Sequence, residues 1–271
     1  QNTITLSGKT SNTIIGNIEA AGGPVGQGLN TITFDGTGTN TITGDVSASY
    51  GNNSITFSSS ASNTLGDTSI IAGDRGTNNI TATNLTFQNP KSITAGAGGH
   101  TSINRFDISG NMTFNNSSTL VIKASNTANT NTDKHNIFKF GGNISNTDST
   151  INHQASIAEL VAITKNSNHS KTKNILSFDG LSTATTLSIG YINKTTTING
   201  HSTGYNYIGK GLTTGSGSSL ALSFEENNWN QSRYQAENLA LNVTGDIYAK
   251  YGKNFINVGS VEVGGEIDGN G

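Results

Sequence analysis

Short runs of alternating apolar and polar residues recur along the chain. The phrase Asn-Thr-Ile-Thr and close variants start at Asn2, Asn12, Asn30, Asn40, Asn53 and Asn63. Taking the central apolar residue as a marker gives Ile4 and Ile14, then Ile32 and Ile42, then Ile55 and Leu65. Members of a pair stand ten positions apart, and the pairs open at Ile4, Ile32 and Ile55, offsets of 28 and then 23. Ile80 and Ile103 extend the series by another interval of 23.

A strand turns successive side chains to opposite faces, so in Thr31-Ile32-Thr33-Phe34 the two apolar residues share one face and the threonines the other. Ser54 to Phe57 and Asn84 to Phe87 read the same way. Threonine suits the outward position, because its branched β-carbon favours extended backbone and its hydroxyl tolerates water. The Gly, Asn, Asp and Ser residues between runs are turn formers.

Short strands, polar turns and a repeat at these intervals predict an all-β fold, a parallel β-helix or β-solenoid with loop insertions. Each coil buries its apolar face only by stacking on the next. A β-sandwich would also give short alternating strands, but offers no reason for the repeated phrase or its paired spacing.

Regular coils are expected over residues 1–124. Over 125–271 the solenoid continues with longer insertions, as one continuous domain. His135-Asn-Ile-Phe-Lys-Phe-Gly-Gly142 is echoed by Lys173-Asn-Ile-Leu-Ser-Phe-Asp-Gly180, a wider spacing that the same coil with an insertion would give. Within that insertion Ile157, Leu160 and Val161 fall at helical spacing, which predicts a short helix over 155–163 with Asn152 or Ser156 as its N-cap. Specificity-bearing loops are expected at about 125–133, 143–172 and 225–236.

Composition explains how so polar a chain can fold. Of 271 residues, 106 are Ser, Thr or Asn and only 32% are hydrophobic, which suits a narrow core needing few apolar side chains per layer. With no cysteine, thiol chemistry, disulfides and thiolate metal sites are excluded. The 15 basic residues are spread among 17 acids, which argues against nucleic acid as a partner. No apolar run is long enough to span a bilayer. Residues 1–90 hold only 2 basic and 5 acidic side chains, so the early coils present a nearly neutral surface of hydroxyls and amides, suited to stacking, self-association or sugar contact. Gln1 and the glycine-rich phrase at Gly271 read as a processed product or a piece of something longer.

Chemical motifs are sparse. Gly204-Tyr-Asn-Tyr-Ile-Gly-Lys210 matches a phosphate-binding loop until Gly211, where a magnesium-binding hydroxyl is required, and no helix is predicted to follow. The histidines at 100, 135, 153, 169 and 201 have no partner at metal-ligand spacing and read as loop or surface residues. Asp35, Asp45, Asp67 and Asp74 stand singly beside glycines, as turns require, and no calcium-binding nonapeptide occurs. For a polysaccharide lyase or glycosidase, Glu225 with Glu226, or Asp74 with Arg75, are neighbours that a strand would point apart. Thr3/Thr5, Thr31/Thr33, Thr41/Thr43 and Thr81/Thr83 could form ice-matching ranks, though at irregular spacing. Tyr191, Tyr205, Tyr207, Trp229 and Tyr234 are candidates for stacking on sugars. No catalytic residue, metal ligand or cofactor is assigned, and the ligand-binding residues stay open.

The repeated Asn-Thr-Ile-Thr phrases, with Thr113-Phe-Asn-Asn-Ser-Ser-Thr-Leu-Val-Ile122 and Tyr205-Asn-Tyr-Ile-Gly-Lys-Gly211, resemble the passenger region of bacterial autotransporters. The latter two are similar to stretches of the vacuolating-cytotoxin-like subgroup. The resemblance implies a right-handed parallel β-helix, displayed extracellularly or at the bacterial surface through a translocator outside these residues. It implies adhesin, aggregation or toxin roles and carries over no catalytic residue. The expected function is adhesion, aggregation or self-assembly, with a cell-surface glycan, a protein receptor or the chain itself as partner. The alternative is a polysaccharide-cleaving enzyme, and a lesser one an ice-binding solenoid.

Overall fold

A computed structural model describes residues 1–23, 27–58, 62–89, 91–96, 102–115, 120–126, 134–146, 154–164, 171–193, 203–210, 235–249 and 252–269. Among the described residues every regular element is a β-strand, and all pairing is parallel. The chain winds through three sheets in turn. The first coil runs through Asn2–Leu6, Ser11–Ile15 and Ile18–Ala20, one strand in each sheet, and later coils stack on it. The first sheet holds nine strands in order, the second six on its path, and the third eleven. The fold is a parallel β-helix.

Register explains the paired spacing. Ile4 lies beside Ile32, Ile32 beside Ile55 and Ile55 beside Ile80 in the first sheet. Ile14, Ile42 and Leu65 line up in the second. Beside Ile80, however, stands Phe106, while Ile103 pairs with Thr77. The interval of 23 at that point is a coincidence of sequence, because position 103 is an outward one. Positions 135–140 and 173–178 do pair in register, as their echo predicts.

Few apolar side chains fill each layer, as composition requires. The second coil buries Ile32 and Phe34, Ile42, and Val46 with Ala48. The third buries Ile55 and Phe57, Leu65, and Ile70 with Ala72. In the next layer Ala82 takes the place of Phe57, while Phe87 takes that of Leu65. Bulk removed from one wall is returned on another, which keeps the core close-packed. Phe34 and Phe57 stack at 4.9 Å, Phe87 and Phe114 at 5.3 Å, and Phe106 and Phe138 at 4.4 Å. On the corner between third and first sheets, glycine is required at position 51, since a methyl group there would overlap the Gly28 carbonyl.

The leading Asn of the phrase is a core residue. Asn30, Asn53, Asn78, Asn104, Asn136 and Asn206 are wholly buried. Each side-chain amide donates one N–H to the side-chain oxygen of the corresponding Asn one coil later. The ladder runs Asn2, Asn30, Asn53, Asn78, Asn104, Asn136, Asn174, Asn206, Asn254 with N···O distances of 2.7–2.9 Å. The sequence intervals along it are 28, 23, 25, 26, 32, 38, 32 and 48 residues. Coil length therefore varies freely in the turns while the ladder keeps register. The second N–H reaches a carbonyl of the third sheet, such as Ser47, Ile71, Thr94, Lys123 or Val161. At Asn174 this carbonyl is replaced by the side-chain oxygen of Asn193, a residue in left-handed backbone at the end of its strand. A shorter ladder joins Asn12, Asn40 and Asn63 in the second sheet.

The stretch predicted to be helical is the strand Gln154–Thr164. Its pairing with Leu120–Asn126 slips by one residue between Ile157 and Glu159. That bulge brings Ile157 and Leu160 both inward and imitates helical spacing. Asn152 lies outside the described residues, and Ser156 is within the strand.

Candidate functional site

The apparent phosphate-binding phrase forms the strand Thr203–Gly209 in the first sheet. Asn206 belongs to the ladder and Ile208 to the core, so the phrase is a strand and not a loop that could cradle an anion. Gly211 lies outside the described residues, as do Glu225, Glu226, Trp229, Tyr234 and the histidines at 100, 153, 169 and 201. His135 departs from expectation: it is a strand residue with no exposed surface, between Ile103 and Lys173 in register. Among the described residues no three His, Asp or Glu side chains gather as metal ligands.

The single aspartates serve turns. Asp45 Oδ1 accepts from the Ser69 N–H of the next coil at 3.1 Å, and Asp67, at positive φ, faces Lys91 at 3.2 Å. Asp74 and Arg75 form the turn between Ser69–Ala72 and Thr77–Ala82.

The outward threonines align despite their irregular sequence spacing. Thr5, Thr33, Thr56 and Thr81 form one column on the first sheet, beside Thr3, Thr31, Ser54 and Asn79. On the second sheet Thr13, Thr41, Thr64, Thr86, Thr113 and Ser145 form another. Neighbours in a column are about 4.8 Å apart, and the two columns of the first sheet about 6.6 Å. Later coils replace the outward hydroxyls of the first sheet. Ile137, Ile175 and Tyr207 occupy the column that begins with Thr3 and are buried, with Ile103 and Phe255 packed against them.

One concavity has convergent polar groups. The second sheet ends at Ile144–Asn146. In the following coil residues 181–184 take no strand conformation and are tied across instead. Asn143 Oδ1 accepts from the N–H groups of Ser182 and Thr183, and the Thr185 hydroxyl donates to the Ile144 carbonyl at 2.7 Å. Where the sheet stops, a cleft of about 260 Å³ opens over Phe178 and Ala236. Its walls carry Asp179, Leu181, Lys210, Gln235, Glu237 and Asn238. Lys210, Gln235, Glu237 and Asn238 are exposed, and Asp179 and Leu181 half-buried.

Tyr207 braces one wall by donating to the Lys210 carbonyl at 2.7 Å. Burial, with the Asp179 carboxylate adding to it, pushes the Tyr207 hydroxyl up to about 12. Tyr191 is likewise raised to about 12, by desolvation first and then by its hydrogen bond to Glu159. A folded-state value above the unfolded one, about 10, stabilises the fold below pH ~10 and loses that effect as pH rises toward 12. Ultraviolet titration should therefore show Tyr191 and Tyr207 ionising late, and Tyr207→Phe should remove one late-ionising group.

Sequence reasoning missed this cleft, because Asp179 lies one coil before Lys210 and Glu237, these two stand 27 positions apart in sequence, and the three share no motif. The one available signal was Asp179 closing the second echo phrase, where the first has Gly141. Comparison with protein-family models, curated proteins and solved structures finds no match for the chain.

Proposed function

We propose that this β-helix is a stiff binding scaffold, secreted or displayed on a bacterial surface, that acts in adhesion, aggregation or self-assembly. The observation that carries the reading is the set of aligned, uncharged hydroxyl columns on the first and second sheets. Nine stacked strands of the first sheet give a rod of roughly 38 Å at ~4.8 Å per step. A flat surface of this kind meets another polar surface with little ordering cost, since its side chains are already held by the sheet. Low charge on the early coils removes the repulsion that would keep copies apart.

The test is binding of the labelled chain to cells, together with sedimentation and negative-stain microscopy at rising concentration. Thr33→Lys with Thr56→Lys, paired neighbours on the outward column, should weaken cell binding or association, with the two like charges side by side costing about 1 kcal/mol of stability. A wild-type chain that neither binds cells nor associates overturns the reading. A second reading, saccharide cleavage, draws on Asp179 and Glu237 lining one cleft. Release of reducing ends from a polysaccharide would replace the scaffold reading with that one.

A further inference from the structure

The cleft at the end of the second sheet is built from fixed parts. Asn238 Nδ2 donates to the Leu181 carbonyl at 2.8 Å, and Gln235 Nε2 to the Val258 carbonyl at 2.8 Å. The Asp179 N–H is held by the Phe140 carbonyl at 2.8 Å, and the Ala236 N–H by the Asn257 carbonyl at 2.9 Å. With Tyr207 holding Lys210, each wall is tied to the coil stack by a hydrogen bond. The cleft therefore exists before any ligand arrives, which lowers the cost of binding.

Its chemistry selects among ligands. The lining carries two carboxylate residues, Asp179 and Glu237, against one lysine, Lys210, so an anion such as phosphate meets net repulsion; the Ser177 hydroxyl donates to Asp179 Oδ1 at 3.3 Å. The ammonium of Lys210 opposes a bare metal ion in the same space. Gln235 and Asn238 each spend an amide N–H on a backbone carbonyl, and their oxygens remain as acceptors. Carboxylate and amide oxygens take protons from hydroxyl groups, while Lys210 donates to a hydroxyl or ring oxygen. Leu181 adds a small apolar edge for C–H groups, while Phe178 and Ala236 beneath it are buried, so polar contacts dominate the cleft. The volume equals that of about nine waters, the scale of one or two sugar rings.

We propose that this cleft is a subsite for a neutral saccharide, held chiefly by Asp179, Glu237 and Lys210. The proposal deepens the adhesive reading by giving it a ligand class and a place, and it rests on that reading only for its biological use.

The experiment titrates the full chain with galactose, mannose, fucose, N-acetylglucosamine and their disaccharides, read by calorimetry and saturation-transfer NMR. Glu237→Gln and Asp179→Asn keep shape while removing charge, and each should weaken binding by about tenfold. Circular dichroism confirms that each variant is folded, and the exposed Glu237 supplies the variant least coupled to folding. Sugar binding lost in both variants supports the subsite. Sugar binding unchanged in both overturns it and leaves the adhesive reading standing. Cell binding by a wild-type chain that takes no sugar also overturns it alone. Cleavage of a bound disaccharide keeps the subsite and overturns the adhesive reading instead.

Discussion

Asn104→Asp should cost about 3–5 kcal/mol of stability at neutral pH, the scale of a buried charge left without a partner. The Asn104 oxygen accepts from Asn78 at 2.9 Å, and its amide nitrogen donates to Asn136 Oδ1 at 2.9 Å and to the Lys123 carbonyl at 3.0 Å. A carboxylate could still accept from Asn78, but its second oxygen would face two acceptors in a site with no solvent contact. Protonation would restore one donor, so the introduced carboxyl has its folded-state pKa raised. The penalty is then least below the unfolded value of about 3.9 and grows as pH rises through the folded one. Asn104→Leu leaves the Asn78 N–H, the Asn136 oxygen and the Lys123 carbonyl buried without this partner, so it should also destabilise, but with little pH dependence. Asn2→Asp, at a partly exposed end of the ladder, should cost much less. Chemical denaturation at pH 4 and pH 7 measures all three. A neutral-pH loss below about 1 kcal/mol for Asn104→Asp would show that the ladder does not govern stability.

Phe138→Ala should be nearly as damaging, at about 3–5 kcal/mol. Its ring stacks on Phe106 at 4.4 Å and 9° and touches Phe140 at 5.9 Å, in the middle of the column. Strands on both sides are fixed by their ladders, so the cavity cannot collapse. Phe138→Leu should recover most of the loss, because Leu176 already fills the same place one coil later. Neighbour-only coupling in a stacked array has a further consequence. Unfolding of the alanine variant should split into two transitions, one for the coils on each side, visible as a biphasic circular-dichroism melt. A single transition with loss below about 1 kcal/mol would contradict this account of the core.

Much of the architecture was legible because β-alternation and repetition are local properties. Ile32 with Phe34, and the ten-position step to Ile42, place two walls of a coil without any knowledge of the third. The echo at 135 and 173 shows the same regularity across an insertion. The role of the leading asparagine was not legible for a physical reason: its alternation puts it on the face of the central Ile, but only a stack of coils turns it into a buried donor and acceptor. The same holds for Ile157 and Leu160, whose inward direction depends on a bulge in pairing with another strand. The candidate cleft left only a weak trace, since Asp179 and Glu237 are far apart along the chain and only the ending of a sheet brings them to one rim.

What the sequence determined by itself was the all-β class, the inward and outward alternation, the thin core and the sparsely charged early surface. These follow from side-chain period and composition, which need no partner strand. Tertiary structure decided register, and with it the asparagine ladder, the alignment of hydroxyl columns and the place where the second sheet stops. Each of those depends on which residue of one coil meets which residue of the next. Variable turns leave that choice open in sequence, and the continuous amide ladder closes it in space.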